Sequence, residues 1–578
     1  MRKTKIVVTI GPVSEKPEIL RQLILAGMDV ARLNFAHGTY EEHKERIKNI
    51  RSLAKELGRV VAILQDLPGP KLRIGELSKE EGLTLEEGEI VNLVLDEKAD
   101  KDIPIPIPAI FGALKEGDKI LLADGNIQLE VEKPGRERVV CRVIVGGVLL
   151  SHQGITLPGV SLPISSITEE DVRHLNFGID MEVDWVALSF VKSAKDIRRL
   201  RQLMLRRGKH IPIIAKMEKQ EAVENMEEIC READGIMVAR GDLGLEIPLE
   251  DVPTQQKNII RLANKLGKPC IVATQMLESM VHNPRPTRAE VADVANAILD
   301  GADAVMLSEE TTIGKYPVEA VRMMHRIAER TEKFIEKRNF FSSRLAEKVE
   351  STTDAIAVSA CQIASNLSAK AIITVTSSGY TARMVSRYRP SIPIIAVTPE
   401  ETTLRRLSLV WGVYPCYRPY YESTDEMLTQ SIEAAREMGL VNDGDVVVLT
   451  GGVPIKVPGT TNLLKVHIVA RTLATGKGFG EGTVTGVLKW LKKEGEVLKG
   501  YIVAVQRIEE KFLPYLKEAK AILTREEGVN PYLVLAKANI EIPLITGINV
   551  GEEVLKDGMV LTVDFDKGLV LEGETQVV

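Results

Sequence analysis

Cysteines are few in this chain, and no pattern among them would bind a metal or form a disulfide framework. There are five, with no CxxC spacing: Cys141, Cys230, Cys270, Cys361 and Cys416. A dispersed, odd-numbered set is typical of buried, reduced thiols. Neither charge dominates, because 75 basic and 81 acidic residues give a net charge of −6. This balance favours neither nucleic acid nor an anionic membrane as a partner.

Long apolar runs are also missing. No uninterrupted apolar stretch is long enough to cross a bilayer. The N-terminal sequence MRKTKIVVTIGP has too short an apolar run for a signal peptide. We therefore expect a cytoplasmic protein. At 578 residues the chain exceeds what one hydrophobic core organises, so we expect several domains.

Short apolar and β-branched runs, each followed by an amphipathic helical pattern, recur through the first half of the chain. Runs of this kind suit strands covered on both faces, and their alternation with helices predicts a parallel sheet. Eight such units predict a TIM (β/α)8 barrel with its active site at the C-terminal ends of the strands. The runs are Lys5–Ile10, Val30–Phe35, Val61–Leu67, Trp185–Phe190, Pro212–Met217, Gly235–Arg240, Pro269–Thr274 and Ala304–Ser308.

The runs are interrupted by one gap, between Leu67 and Trp185, that is too long for a loop. Short alternating segments with glycine-containing turns fill it and predict an inserted antiparallel β domain. A second α/β unit and a further α/β domain follow the barrel, and the Gly-rich segment GKGFGEGTVTG near their junction is interpreted as a linker or turn. The predicted domains are the barrel at 1–71 and 167–335, the inserted domain at 72–166, the α/β unit at 336–473 and the last domain at 474–578.

Polar residues stand at the predicted C-terminal ends of most barrel strands, which favours catalysis. Lysine, arginine and carboxylates around one barrel mouth suit a polyanionic substrate bridged by a divalent metal. The cations would offset charge on the transferring oxygens. An aldolase-type lyase or an enolase-type metal enzyme would use similar groups. The residues are Arg32, Asn34, Asp66, Lys216, Glu218, Arg240, Asp242, Thr274, Ser308 and Glu310.

Several longer segments resemble the pyruvate kinase family. They are TKIVVTIGPVS (4–14), GMDVARLNFAHG (27–38), AKMEKQEAVENMEEI (215–229), GIMVARGDLGLEIP (235–248) and the stretch 268–311. The resemblance extends to about residue 473. It implies a barrel, a capping β domain inserted after its third strand and a C-terminal regulatory α/β domain. It also implies phosphoryl transfer from phosphoenolpyruvate to ADP in glycolysis, giving pyruvate and ATP, by a homotetramer with Mg²⁺ or Mn²⁺.

The resemblance implies roles for single residues. Lys216 would steady the transferring phosphoryl group and Arg32 would contact the phosphate. Glu218 and Asp242 would bind the divalent metal. On the nucleotide side it places His37 and Arg73.

The resemblance also implies that residues after the last three barrel strands contact the substrate carboxylate and the enolate. Backbone N–H groups of Gly241 and Asp242 would receive the carboxylate. Thr274, with Ser308 and Glu310, would serve substrate binding and protonation of the enolate. An inactive regulatory binder on the same scaffold is the non-enzyme alternative, which the joint presence of lysine, metal ligands and threonine disfavours.

The sequence departs from the family pattern where many members bind K⁺. Those members hold the ion with NFSHG-like and DTKGPE-like motifs. This chain keeps Asn34 and Asp66, but Ala36 and Leu67 replace the two hydroxyl residues. Lys71 stands where K⁺-dependent members have glutamate, and its ammonium would supply the missing charge. We therefore hypothesise that K⁺ is not required.

The segment TSSGYTARMVSRYRP (376–390) places a Ser/Thr/Gly turn between a predicted strand and a helix. Such a turn suits a phosphate, and it resembles the family's effector-phosphate site. The implied contacts are Thr376, Ser377, Ser378 and Thr381. A phosphorylated allosteric effector, either a sugar phosphate or AMP, is expected; the alternative is a simple N-capping turn.

The last hundred or so residues resemble the swivelling domain of phosphoenolpyruvate-utilising enzymes. Active domains of that type carry a Thr-Ser-His-Ala core. The corresponding stretch here is EEGVNPYLVLAKANIEIPLITG (526–547), with Tyr532 near the histidine position, and no histidine follows His467. Phosphohistidine transfer in this domain is therefore excluded, and we expect a structural role such as bracing an oligomer.

Overall fold

The computed structural model divides into two compact units, residues 1–350 with 376–419, and residues 351–375 with 420–578. It describes residues 1–79, 81–95, 102–337, 349, 351–421, 423–442, 444–452, 461–469, 472–496 and 498–573. Parts of the two C-terminal domains predicted from sequence, among them residues 338–348 and 574–578, lie outside the described residues. The predicted domain boundaries stay predictions.

The eight predicted strands form a closed parallel barrel and follow one another around it in chain order. Several of them end one or two residues earlier than predicted. Phe190 (φ +54°) and Thr274 (φ +65°) are left-handed and cannot continue an extended strand. The strands are Lys5–Thr9, Val30–Asn34, Ala62–Leu67, Trp185–Leu188, Ile213–Met217, Gly235–Ala239, Cys270–Ala273 and Ala304–Leu307.

Amphipathic helices surround the barrel and bury its apolar strands. Several of them begin with capping boxes, among them those at Thr39, Thr168 and Thr287, which satisfy the first free N–H groups. No helix among the described residues is long and apolar enough to span a membrane. The helices are Pro17–Ala26, Tyr40–Glu56, Glu169–Asp180, Ala194–Arg206, Gln220–Glu224, Met226–Glu232, Arg240–Glu246, Val252–Lys265, Arg288–Asp300, Glu309–Thr312 and Pro317–Lys337.

The segment between the third and fourth barrel strands forms a small β domain, called the lid below (residues 72–166). It has its own apolar core, and its strands pair antiparallel apart from one parallel pair, Ile90–Val94 with Asp102–Pro104. Its strands are Leu83–Leu85, Ile90–Val94, Asp102–Pro104, Lys119–Leu122, Ile127–Lys133, Arg138–Val145, Gly147–Leu149 and Ile155–Thr156, with one helix at Pro108–Ala113.

Residues 376–419 belong to the same unit as the barrel. Their two strands, Ile394–Thr398 and Val413–Tyr417, pair in parallel, and two short helices, Tyr380–Ser386 and Glu401–Arg406, accompany them. Buried Arg389 joins this segment to the barrel, because it pairs with Asp303 at 2.8 Å.

The second unit begins with helix Thr352–Asn366 and strand Ala371–Val375 and continues with helix Thr424–Glu437. Strand Val446–Gly451 pairs in parallel with Ala371–Val375 and antiparallel with Leu463–Ile468. From residue 472 onward the chain forms an eight-stranded mixed sheet. Its strands are Thr472–Thr475, Lys477–Phe479, Thr483–Trp490, Ile502–Val505, Ala521–Thr524, Leu544–Thr546, Val560–Asp564 and Leu569–Glu572, and its helices are Leu513–Leu516 and Asn530–Lys537.

The interpretation of GKGFGEGTVTG as a linker or turn is wrong for most of its length. Strands Lys477–Phe479 and Thr483–Trp490 occupy it, and only Gly480–Gly482 turns. A Cβ atom on Gly478 would lie 1.9 Å from the carbonyl oxygen of Phe565, and one on Gly476 would lie 2.4 Å from that of Thr546. The glycines therefore allow neighbouring backbones to approach closely inside a sheet.

Candidate active site

Lys216 lies near the end of the fifth barrel strand, at the centre of the polar cluster. Its Nζ donates to Ser189 Oγ (2.7 Å) and pairs with Glu218 Oε1 (2.7 Å) and, more distantly, Asp66 Oδ1 (3.5 Å). Burial alone would lower the pKa of Lys216, but Asp66 and Glu218 outweigh it and raise the pKa above its ordinary value. A permanent, nearly buried positive charge therefore stands at the barrel mouth.

Arg32 supplies a second cation from the second strand. Its Nε donates to Asp66 Oδ2 (2.7 Å), and its Nη1 donates to Thr9 Oγ1 (3.0 Å). Burial alone would raise the pKa of Asp66, but the charges of Lys216 and Arg32 lower it. Asp66, which the sequence assigned to the monovalent-cation region, thus stays ionised and orients both cations.

Glu218 and Asp242 provide a pair of carboxylates beside Lys216. Glu218 is 1% exposed, and its Oε2 accepts the backbone N–H of Phe190 (2.7 Å). Burial raises the pKa of Glu218, Asp242 raises it further by like-charge repulsion, and Lys216 opposes both. A divalent cation between the two carboxylates would relieve this repulsion, and two oxygen ligands fit the hard ions Mg²⁺ and Mn²⁺. Among the residues that the structure describes, no group of three or more His, Cys, Asp or Glu side chains forms a ready-made metal site.

Thr274 follows the seventh strand in a conformation that β-branched residues rarely adopt, φ +65°. Its Oγ1 accepts the N–H of Gly241 (2.9 Å) and donates to the carbonyl oxygen of Ala273 (2.7 Å). Arg240 Nη2 donates to the Thr274 carbonyl oxygen (2.6 Å). The structure therefore joins two predicted substrate residues directly, and the Gly241 N–H expected to receive the carboxylate is engaged by Thr274.

Glu310 and Ser308 follow the eighth strand. Glu310 accepts the N–H of Leu277 (3.0 Å) and that of Ser308 (2.7 Å). Burial raises the pKa of Glu310 although these N–H groups oppose it. Glu310 thereby fixes the loop after Thr274 to the end of the eighth strand.

Comparisons with protein families show which known proteins this chain is similar to. A family model described as "Pyruvate kinase, barrel domain" matches residues 1–321, more than half of the chain. The chain belongs to the pyruvate kinase family. Further models match as "Pyruvate kinase, alpha/beta domain" at residues 354–467 and "PEP-utilising enzyme, mobile domain" at residues 497–568.

Individual pyruvate kinases agree with the family match. One from Geobacillus stearothermophilus is 46% identical over 100% of both chains, and one from Sporosarcina psychrophila is 43% identical over the same shares. A crystal structure of a pyruvate kinase from Cryptosporidium parvum covers 81% of this chain and 96% of its own, with a TM-score of 0.77 and 37% identity. The chain is therefore a phosphotransferase, as the sequence predicted, rather than a lyase. Pyruvate kinase activity implies phosphoenolpyruvate, ADP, pyruvate and ATP as substrates and products.

The residues predicted for the nucleotide and for the monovalent-cation region lie in and around the loops after the second and third strands. His37 is exposed, and Arg73 Nη1 donates to the carbonyl oxygen of His152 within the lid (2.8 Å). Asn34 Oδ1 accepts the N–H of Ala36 (3.2 Å). Lys71 is exposed and, together with Asp242, lines a cavity of about 80 Å³ between lid and barrel. The structure thus groups Asp66 with Lys216 and places Lys71 at the cavity that Asp242 also lines.

The loop with Asn34 and His37 is hydrogen-bonded to a buried histidine, His43, that the sequence interpretation missed. His43 Nε2–H donates to the carbonyl oxygen of His37 (2.9 Å), and its ring stacks on Phe35 with 4.1 Å between centroids. Burial lowers the pKa of His43 to about 4, and Arg46 adds to the effect. The neutral ring therefore anchors the NFAHG turn.

The predicted effector residues of this pyruvate kinase lie in one turn. Thr376 Oγ1 accepts the N–H of Gly379 (2.9 Å), and Ser378 Oγ accepts that of Tyr380 (3.4 Å). Ser377 is tied by its carbonyl oxygen to Thr403 Oγ1 (2.8 Å). Thr381 is buried in the first turn of the following helix. The structure thus brings the four residues together, and two of their hydroxyls accept N–H groups of the turn itself.

Three further residues contact the cluster: the sequence interpretation missed Ser189 and Thr9, and it gave Phe190 only a packing role beneath Lys216. The Ser189 hydroxyl accepts a hydrogen bond from the Lys216 ammonium, and the Thr9 hydroxyl accepts one from the Arg32 guanidinium. The backbone N–H of Phe190 donates to the Glu218 carboxylate. All three stand at or just beyond the end of a barrel strand, and that position was the available signal.

Proposed function

We propose that the cluster around Lys216 is the phosphoryl-transfer centre of this pyruvate kinase. One observation carries the proposal: the Lys216 ammonium contacts Ser189 and Glu218 and lies near Asp66 at the barrel mouth. Held there without freedom to relax, it would offset negative charge on the transferring phosphoryl group and on the leaving enolate. Arg32 would bind the phosphate, while Asp66 keeps both cations oriented.

Glu218 and Asp242 would hold Mg²⁺ or Mn²⁺. When bound, the ion supplies charge neutralisation and orientation for the substrate oxygens. Thr274, fixed by Gly241 and Arg240, would align the enolate carbon for protonation together with Ser308 and Glu310. His37 and Arg73 would face the ADP.

Replacing Lys216 tests this assignment. Lys216→Met keeps the length of the side chain and removes its charge, so we expect pyruvate formation from phosphoenolpyruvate and ADP to fall about a hundred- to a thousandfold, the scale of one lost electrostatic group in a desolvated site. Lys195→Met, on the exposed face of helix Ala194–Arg206, is the matched control and should retain wild-type activity. A Lys216→Met enzyme with more than a tenth of wild-type turnover would contradict the assignment.

We further propose that the enzyme works without K⁺ and is activated by a phosphorylated ligand. Ala36 and Lys71 support K⁺ independence, since one removes a hydroxyl ligand and the other brings a fixed positive charge. The turn with Thr376, Ser377, Ser378 and Thr381 supports effector binding. We expect AMP or glucose 6-phosphate to lower the KM for phosphoenolpyruvate, and a KM unchanged by both would contradict the effector proposal. A homotetramer and a cytoplasmic location complete the proposal.

A further inference from the structure

The short segment Ser189–Lys192, just after the fourth barrel strand, contacts both the catalytic cluster and the lid. On the catalytic side, Ser189 Oγ accepts Lys216 Nζ and the Phe190 N–H donates to Glu218 Oε2 (2.7 Å). Phe190 has φ +54°, a strained conformation for a residue other than glycine that surrounding contacts must maintain.

The segment of chain that returns from the lid is bonded both to Phe190 and to Lys192, two residues further on. Buried Ser166 donates from its Oγ to the carbonyl oxygen of Phe190 (2.7 Å). Lys192 Nζ donates to the carbonyl oxygens of Leu162 (3.0 Å) and Ile164 (2.8 Å). The two carbonyl groups and the Ser166 hydroxyl lie between the last lid strand, Ile155–Thr156, and helix Glu169–Asp180.

The segment of chain that leads from the barrel into the lid also contacts Phe190. Gly69 has φ +66°, and a Cβ atom on it would lie 2.8 Å from Phe190 Cδ2, so this loop touches the Phe190 ring. The Gly69 N–H donates to Asp171 Oδ1 (3.1 Å). The other oxygen of Asp171 accepts the backbone N–H of Thr168, at the start of the helix that follows the lid. Both connections of the lid are therefore tied to one another and to Phe190.

We infer that Ser166 is a positioning residue for divalent-metal binding, because through Phe190 it connects the returning lid segment to Glu218. The inference rests on the proposed role of Glu218 as a metal ligand. Ser166 donates a hydrogen bond to the Phe190 carbonyl oxygen, and the Phe190 N–H donates one to Glu218. Loss of the Ser166 bond lets the strained residue relax and turns the N–H away from Glu218, which alters the orientation and basicity of that carboxylate. The position of the lid and the affinity for metal are coupled by this one residue.

The test is direct Mn²⁺ binding, measured by the electron paramagnetic resonance signal of the free ion with full-length enzyme and no substrate. We expect Ser166→Ala to raise the dissociation constant for Mn²⁺ about three- to tenfold, less than the roughly 10- to 100-fold typical of a group bonded directly to a metal ligand. Ser165→Ala is the matched control, because Ser165 contacts Ile167 and Arg199 instead of Phe190; its affinity should stay within about twofold of wild type. Lys192→Met is a second variant that weakens the same connection without touching the Phe190 carbonyl, and it should also lower the affinity.

The kinetic readout separates positioning from general damage. At saturating Mn²⁺ we expect the kcat of Ser166→Ala to stay within about twofold of wild type, while the Mn²⁺ concentration for half-maximal rate rises in step with the dissociation constant. Wild-type Mn²⁺ affinity in Ser166→Ala would overturn the inference, as would equal losses in Ser165→Ala and Ser166→Ala.

Glu218→Gln distinguishes failure of the inference from failure of the proposed function. If Glu218→Gln loses Mn²⁺ and Ser166→Ala does not, the metal site stands and the positioning role falls. If Glu218→Gln binds Mn²⁺ like the wild type, the ligand assignment falls and the inference falls with it.

Discussion

At the scale of single residues, the site uses burial to set which groups carry charge. Lys216 and Asp66 remain ionised because each faces an opposite charge, whereas Glu218 and Glu310 have pKa values raised by burial. Desolvated charges that are paired act on a bound substrate more strongly than the same charges would in water. The same balance makes His43 neutral and gives it a measurable signature.

His43 should make stability depend on pH. Its pKa is lowered from 6.5 to about 4 in the folded protein, so the unfolded chain takes up a proton between these values and the folded chain does not. Stability is therefore lost as pH falls from about 6.5 towards 4, by up to about 3 kcal/mol. His43→Gln keeps an N–H donor for His37 but lacks this titration.

The measurement is the difference in melting temperature between the wild type and His43→Gln from pH 7.5 to pH 5. We expect the wild-type advantage at pH 7.5 to shrink as the pH falls. The same change at exposed His282 is the control and should show a smaller dependence on pH. A His43 difference that is constant across this range would contradict a neutral, buried ring.

The proposal that the enzyme works without K⁺ depends on Lys71. In Lys71→Glu the fixed positive charge is replaced by a negative one, so we expect the KM for phosphoenolpyruvate in choline to rise at least about tenfold, equivalent to ~1.4 kcal/mol. Added K⁺ should recover part of the loss. Lys79→Glu, at an exposed lysine of the lid, controls for the change in net charge. Strong stimulation of the wild-type enzyme by K⁺ over choline would show that Lys71 does not replace the ion.

At the scale of elements, the loop after the third strand needs glycine for two separate reasons. Gly69 has φ +66°, and its missing side chain leaves room for Phe190. Gly58, after helix Tyr40–Glu56, has a similar φ of +59° with nothing within 4 Å of an added Cβ. An added side chain would strain the backbone at both glycines, but only at Gly69 would it also collide with Phe190.

Comparing Gly69→Ala with Gly58→Ala measures that contact. Both variants should lose about 1 kcal/mol or more from the left-handed backbone. Only Gly69→Ala pushes Phe190 and so should also weaken Mn²⁺ binding and slow pyruvate formation. Thermal melting and activity assays give the two quantities. Equal activity in the two variants would mean that the Phe190 position does not matter for the site.

Barrel strands could be predicted from sequence because their burial on both faces requires continuous apolar runs, which are visible locally. Asp66, Lys216 and Glu218 could be predicted as site residues because they stand at strand ends. The bonds from Ser166 to Phe190 and from Asp171 to Gly69 join residues 24 and 102 positions apart, and no periodicity encodes such pairs. GKGFGEGTVTG was misinterpreted because glycine marks both turns and close backbone contacts within sheets.

At the scale of the whole molecule, the last domain has its own sheet and core, while the proposed catalytic cluster lies in the other unit. All eight strands of its sheet come from residues 472–573, and its main apolar core contains only residues from Leu473 onward. Tyr532, predicted to lie near the histidine position of active domains, stacks on Phe479 within this domain with 5.1 Å between ring centroids. That contact gives Tyr532 a packing role.

Removal of the last domain should therefore leave the chemistry in place. We expect a chain that ends at residue 471 to keep a kcat within about twofold of the full-length enzyme, because Lys216, Glu218, Asp242 and Thr274 keep every contact described above; a change of that size corresponds to only ~0.4 kcal/mol in the barrier. If the domain braces an oligomer, light scattering should show a smaller assembly at low protein concentration, and the melting temperature should fall with dilution. A truncated protein that is folded by circular dichroism but makes no pyruvate would contradict a structural role, since it would show that the catalytic unit depends on this domain for more than assembly.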